Sequence, residues 1–206
     1  MLGRGRLHRD LLEQLARDAA TDTEILITGP TWLDKRPYAE FAHRQSPRAK
    51  AAFVSVKCDT VSDQLRKNNL FGHMEGAFNG DHAEDPVAAA EGGTLFLDEV
   101  DTLPLPCQMK LLRFIQDKEY RRLGETHRRH ANLRLIAATS ADLPAALRAG
   151  RFREDLFLRL RVIPIEFPPL WKRMVDVRSL LEEVLAIIRN FIAWLQSRPA
   201  RVLRIG

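Results

Sequence analysis

Apolar residues along this chain fall in short bursts, and the spacing within each burst changes with position. Leu11, Leu12, Leu15 and Ala16 recur at helical spacing, which predicts a helix over Leu7 to Ala19. Glu24 to Thr28 then reads as a short buried strand that ends at Gly29. A helix is expected from Tyr38 to His43, with Pro37 tolerable in its first turn. Ala52 to Val56 alternates like a second strand, and Thr94-Leu95-Phe96-Leu97 is an apolar strand running straight into Asp98-Glu99. Pro106 to Gln116 predicts another helix, Arg134 to Thr139 a buried strand, and Arg161 to Phe167 a fifth. Strands that are continuous apolar runs, alternating with helices, indicate an α/β fold whose parallel sheet is covered on both faces.

Composition narrows this picture only a little. The 206 residues suffice for one good-sized core, and 45% hydrophobic with 29% charged residues is ordinary for a globular chain. A net charge of +5 permits phosphate or nucleic-acid contact, but a solvated basic surface explains it equally well. Cys58 and Cys107 lack metal-ligand spacing, and no secretory signal precedes the first helix, so a reducing cytoplasm is expected. The longest apolar stretch, Val184 to Leu195, contains Arg189 and Asn190 and is too short to span a bilayer.

In open parallel sheets, ligands sit beyond the carboxyl ends of the strands. Three predicted strands end in polar residues: Gly29 to Arg36, Asp98-Glu99, and Thr139-Ser140. A phosphate-binding loop, a metal-binding acid and a polar sensor occupy such places in nucleotide-hydrolysing folds. A separate signal lies in Gly76-Ala77-Phe78-Asn79-Gly80-Asp81, where glycines, Asn and Asp disfavour a helix. A phenylalanine there is either tucked under the loop or displayed to a partner.

Together these segments resemble the central ATPase domain of bacterial sigma-54-dependent transcription activators, an AAA+ family that remodels RNA polymerase holoenzyme. The likeness runs from about Leu7 to Arg173. It rests on "LFGHMEGAFNGD", "AEGGTLFLDEVDTLP", "QMKLLRFIQDKEYRRLGE", "LRLIAATSADL" and "FREDLFLRLRVIPIEFPPLWKR" in the family's order. The resemblance implies a three-layer AAA+ P-loop NTPase-like core over 1–173, then a truncated helical lid over 174–206. It also implies ATP and Mg²⁺ as cofactors, a homo- or hetero-oligomeric ring, and sigma-54 RNA polymerase holoenzyme as partner. No DNA-binding motif accompanies it.

Residue by residue, the resemblance implies that Gly29 and Lys35 belong to a phosphate loop of the form Gly-x-x-x-x-Gly-Lys-[Ser/Thr], within "GPTWLDKR". Asp34 stands for its second glycine and Arg36 for its hydroxyl residue. Each repulsive charge pair at about 4 Å and an effective dielectric near 20 is worth roughly 4 kcal/mol. Nearly three decades of affinity are at stake unless Asp34 turns to solvent or pairs with Arg36. Arg36 adds favourable charge for phosphate but cannot ligate Mg²⁺. Asp98 would hold Mg²⁺, and Glu99 would orient or deprotonate the attacking water. Ser140 stands where the family's sensor Asn lies, and Lys57 near its glutamate-governing Asn, from where it would pair with Glu99. Arg153 and Arg159 match arginines that act on the neighbouring subunit's phosphate. Gly76, Ala77, Phe78, Asn79 and Gly80 match the loop that touches sigma-54, with Asn79 replacing a Thr and Asp81 an Ala.

The lid reduces to one expected helix, Val175 to Leu195, whose broad apolar stripe needs a partner surface. Two functions therefore compete. One is an ATPase that remodels sigma-54 holoenzyme; the other is a degenerate relative that handles nucleotide poorly and acts as a protein-interaction module. Asp98, Glu99, Arg153 and Arg159 favour the first; Asp34, Arg36, Lys57, Ser140 and Asn79 favour the second.

Overall fold

A computed structural model of the chain describes residues 6–60, 85–120, 127–168 and 189. The loop Gly76 to Gly80 lies outside these residues, as does the expected helix Val175 to Leu195 apart from Arg189. Helix α1 (Arg6–Ala19) leads into β1 (Ile25–Thr28), α2 (Arg36–Arg44), β2 (Phe53–Lys57), the single turn α3 (Pro86–Ala89) and β3 (Thr94–Asp98). Then come α4 (Leu105–Asp117), β4 (Glu119–Tyr120), β5 (Arg129–His130), β6 (Arg134–Thr139), α5 (Leu143–Arg148), α6 (Glu154–Leu160) and β7 (Ile163–Glu166). Apart from the first residues of α1, all lie in the compact unit Leu11–Phe167.

The main sheet has five strands in the order β2-β3-β6-β1-β7, every neighbouring pair parallel. Burial follows that order. The central strand β6 is buried throughout, β3 is buried up to Asp98, and the edge strands β2 and β7 are half exposed. Pro164 sits in β7, where only one side of the strand must donate to a ladder, the position in a sheet that tolerates proline.

The pleat divides the apolar runs between two cores. Leu26, Leu95, Leu97, Leu135 and Ala137 pack on one face with Cys107, Leu111 and Phe114 of α4. Ile25, Ile27, Phe96, Ile136 and Ala138 pack on the other with Leu15 and Ala19 of α1 and Tyr38, Ala39 and Ala42 of α2. The result is the expected three-layer α/β arrangement. It places the carboxyl ends of β1, β3 and β6 side by side, since these three strands are adjacent in the sheet.

The amino ends of the strands are tied by a separate polar net. Arg48 donates to both carboxylate oxygens of Asp22 at 2.7 and 2.6 Å and to the Asn132 carbonyl at 2.9 Å. The amide of Asn132 reaches the Glu91 carboxylate at 3.2 and 3.1 Å. Arg134, almost fully buried, donates to the carbonyls of Ala19 at 2.9 Å and Thr23 at 3.1 Å, satisfying the carbonyl end of α1. Gly93 passes so close to the Ala52 backbone that a Cβ there would collide with its carbonyl oxygen.

The short pair β4–β5 and the helices α5 and α6 were not among the elements the apolar pattern predicts. Two-residue strands and helices of six or seven residues offer too few positions for a period to register.

Candidate functional site

Beyond the carboxyl ends of β1, β3 and β6, the chain turns three times within a small space. After β1, Gly29 opens the loop; its amide donates to the Thr139 carbonyl at 3.3 Å, and the Leu33 amide turns back onto the Pro30 carbonyl at 3.0 Å. A Cβ on Gly29 would press on Phe167 at 3.1 Å and Leu33 at 3.3 Å, so a glycine suits the position. The loop ends at Lys35, which caps α2.

Lys35 is the centre of the site. Its side chain is almost fully buried, and its ammonium donates to Ser140 Oγ at 2.6 Å and lies 3.6 Å from Glu99 Oε1. Ser140 passes the contact on: its hydroxyl donates to Glu99 Oε1 at 2.7 Å and its amide to Glu99 Oε2 at 3.1 Å. Lys35, Ser140 and Glu99, 105 and 41 positions apart, are thereby linked through Ser140 by hydrogen bonds, with the Lys35–Glu99 ion pair as the third side. A buried lysine needs a charge partner; Glu99 supplies it.

Glu99 itself adopts a left-handed backbone, φ 52° and ψ 51°, a conformation that costs a non-glycine residue about 1–2 kcal/mol. Its carbonyl is gripped by Thr102 through both the amide at 3.0 Å and the hydroxyl at 2.8 Å. The strained turn aims the carboxylate at Ser140 and leaves Asp98 beside it, with Asp98 Oδ1 accepting the Glu99 amide at 3.1 Å. Burial pushes the Asp98 carboxyl above its ordinary range, and the neighbouring Glu99 carboxylate pushes it further. A cation at Asp98 would relieve both effects.

Asp101 is a residue the sequence reading missed. Its carboxylate accepts the Thr139 hydroxyl, which in turn accepts the Ala141 amide at 3.0 Å, so the turn carrying Ser140 is fixed from below. The third acid in "DEVD" was the available signal. Gln108 was missed as well. It is a fully buried amide on the apolar face of α4, between Cys107 and Leu111. A lone polar residue on a core-facing stripe was the only mark it left.

The other expected residues make their contacts outside this cluster. Arg36 extends its guanidinium to Glu40 at 3.0 Å, one turn along α2. Asp34 is exposed, so its side chain does turn towards solvent as one of the two expected alternatives has it, and there its Oδ1 accepts the backbone amide of Arg36 at 3.1 Å. Lys57 pairs with Asp59 at 2.8 Å, on its own side of the sheet edge, while Ser140 holds Glu99. Arg153 is clasped by Asp155 at 3.0 and 2.7 Å, and Arg159 is exposed on α6. No hydrogen bond or ion pair joins either arginine to Lys35, Asp98, Glu99 or Ser140 among the described residues. Cys58 and Cys107 are buried thiols, and burial pushes both up, so they pack as small apolar groups.

Set against the nucleotide and Mg²⁺ that the resemblance implies, the site divides. The acid side fits: Asp98 is a half-buried carboxylate that a cation would stabilise, with Glu99 beside it and a buried ammonium near. No group of three or more metal-ligating side chains occurs among the described residues, so a metal here would need ligands from the nucleotide. The phosphate side does not fit as folded. The first amide of α2 is already taken by the Asp34 carboxylate, and Arg36 offers no oxygen to a metal.

Comparison with known proteins supplies the relatives. The family model described as the sigma-54 interaction domain matches residues 1–166. The alginate biosynthesis transcriptional regulatory protein AlgB of Pseudomonas aeruginosa is 44% identical over 194 residues, covering 93% of this chain and 42% of AlgB. The nitric oxide reductase transcription regulator NorR2 of Cupriavidus necator is 44% identical over 191 residues, covering 92% of this chain and 37% of NorR2. Among solved structures, NtrX from Brucella abortus in complex with ATP superposes with a TM-score of 0.81 at 34% identity, over 91% of this chain and 43% of that one. The chain thus spans about two-fifths of the length of these relatives. No described helix is long and apolar enough to cross a membrane.

Proposed function

The chain belongs to the sigma-54 interaction domain family, and on that premise we propose that it is the sigma-54-contacting core of a bacterial transcription regulator, with a nucleotide site at the carboxyl edge of its sheet. The observation that carries this reading is the convergence of Lys35, Glu99 and Ser140 beside Asp98 from three separate strand ends. The ligand class comes from NtrX, which was crystallised with ATP and with ADP.

On this reading, a bound nucleotide would supply a phosphoryl group to be cleaved and its metal would sit on Asp98. Glu99, whose two carboxylate oxygens are both held by Ser140, would orient the attacking water. Lys35 offers positive charge at the floor of the loop beside Gly29. Arg153 and Arg159, which among the described residues are not bonded to Lys35, Asp98, Glu99 or Ser140, would serve a neighbouring copy in a ring. Phe78, with Gly76, Ala77, Asn79 and Gly80, would make the contact with sigma-54. Asp34 holds the amide at which phosphate would enter, so the loop as folded is closed to the hydrolytic reaction.

That contact also favours the second reading, a relative whose nucleotide handling is weak and whose role is protein contact. Two measurements on the full chain separate the readings. Capture of sigma-54 should be lost in Phe78→Ala if the loop is the contact, and equal capture by both would reject it. A labelled-nucleotide titration against Lys35→Ala reports the site: binding that the variant leaves unchanged would place the nucleotide elsewhere.

A further inference from the structure

Gln108 has a hydrogen-bond geometry that none of the roles above uses. Its side chain is fully buried, and its partners among the described residues are backbone groups from two separate loops. Nε2 donates to the Leu103 carbonyl at 2.7 Å and to the Arg151 carbonyl at 2.9 Å. Oε1 accepts the Arg153 amide at 2.9 Å. Only one orientation of the amide works. Rotating it by half a turn would set its N–H groups against the Arg153 N–H and its oxygen against two carbonyls.

The two loops are the ones that matter to the site. Leu103 closes the turn that begins at Glu99: the Thr102 amide and hydroxyl hold the Glu99 carbonyl, and the Leu103 amide holds that of Val100 at 3.3 Å. Arg151 to Arg153 is the segment that leads into α6 and carries Arg153. We propose that Gln108 is a positioning residue that joins the Glu99 turn to the Arg153 segment, so that the two move as one body. A shift at Glu99 would then reach the arginine offered to the next subunit's site. What Arg153 does there rests on the function proposed above; the coupling itself does not.

A contiguous chain of hydrogen bonds suggests coupling but does not measure it. A double-mutant cycle read by amide hydrogen exchange does. In the full chain, Glu99→Ala should loosen its turn and speed exchange of the Arg153 amide about tenfold. In Gln108→Leu, that amide should exchange fast from the outset, and adding Glu99→Ala should change it by less than about twofold. A residue that merely fills space would give additive effects instead. Two results would overturn the proposal: an Arg153 amide that ignores Glu99→Ala in the Gln108 chain, or one that responds equally in both backgrounds. If Gln108→Leu does not fold, Gln108→Glu keeps the acceptor for Arg153 and takes its place in the cycle. Nucleotide plays no part, so the cycle tests the coupling even in a chain that binds none, and the titration above tests the site separately.

Discussion

At the amino ends of β1, β3 and β6, Arg48 meets Asp22 and Asn132, Asn132 meets Glu91, and Arg134 closes the carbonyls of Ala19 and Thr23. At the carboxyl ends of the same strands, Asp98 and Glu99 stand side by side, Asp101 lies one turn on, and Glu99 holds a left-handed backbone. Both edges are polar and both are hydrogen-bonded. They differ in sign and strain. The amino edge pairs Arg48 with Asp22 and spends the buried Arg134 guanidinium, held below its ordinary range by burial, on backbone carbonyls, whereas the carboxyl edge crowds Asp98 against Glu99 and pushes the Asp98 carboxyl up. On the function proposed above, the carboxyl edge gives up local stability for a binding site and the amino edge serves as the anchor, a division that mutation can test.

Mutations should separate the edges sharply. The largest loss is expected at Gly93→Ala, which drives a Cβ into the Ala52 backbone with no flexible side chain to yield. About 4 kcal/mol of unfolding free energy should go, measured by denaturant titration. Arg134→Leu comes next. It strands the Ala19 and Thr23 carbonyls in the interior and should cost about 3 kcal/mol. A loss under about 1 kcal/mol from either would mean that the amino edge is not the anchor.

The smallest effect should have the opposite sign. Because the folded Asp98 carboxyl is raised, the native chain keeps that proton to higher pH than the unfolded chain does. Stability therefore falls as pH rises through the folded value, and Asp98→Asn should stabilise at neutral pH. The group is half exposed, so solvent screening limits the gain to under about 1 kcal/mol. Below the ordinary aspartate range both states are protonated and the gain should vanish. Thermal melts of the two chains at neutral and acid pH check this; destabilisation at neutral pH would show that Asp98 is a structural pair after all.

The same contrast explains what the sequence could tell. Strands β1, β3 and β6 were legible because buried central strands are continuous apolar runs, and β6 falls on Arg134–Thr139 as expected. The polar ends of those strands pointed to the site, since strand order alone brings Gly29, Asp98 and Ser140 together. Strand β7 begins two residues later than expected, because Arg161 caps α6. The amino-edge net left no such trace. Arg48 and Asp22 are 26 positions apart, Arg48 and Asn132 are 84, and Arg134 and Thr23 are 111, and no local pattern encodes such pairs. Gln108 was hidden for the same reason, its partners being backbone groups that carry no residue signature. Asp34 stood out in the sequence as the anomaly of the phosphate loop, but its partner, the Arg36 amide, is a matter of backbone geometry.

That anomaly is the point at which the two edges meet the functional proposal. The Asp34 carboxylate now supplies negative charge to the start of α2, a favourable place for it, and does so where a phosphate would bind. Replacing it with glycine should sacrifice about 1 kcal/mol of stability and open the loop. The deciding measurement is a titration of labelled ATP, with and without Mg²⁺, against the unaltered chain and Asp34→Gly with Arg36→Thr. The account predicts weak, Mg²⁺-insensitive binding by the unaltered chain and an affinity at least about tenfold higher, now dependent on Mg²⁺, in the double variant. Tight Mg²⁺-dependent binding by the unaltered chain, or no gain in the variant, would contradict it.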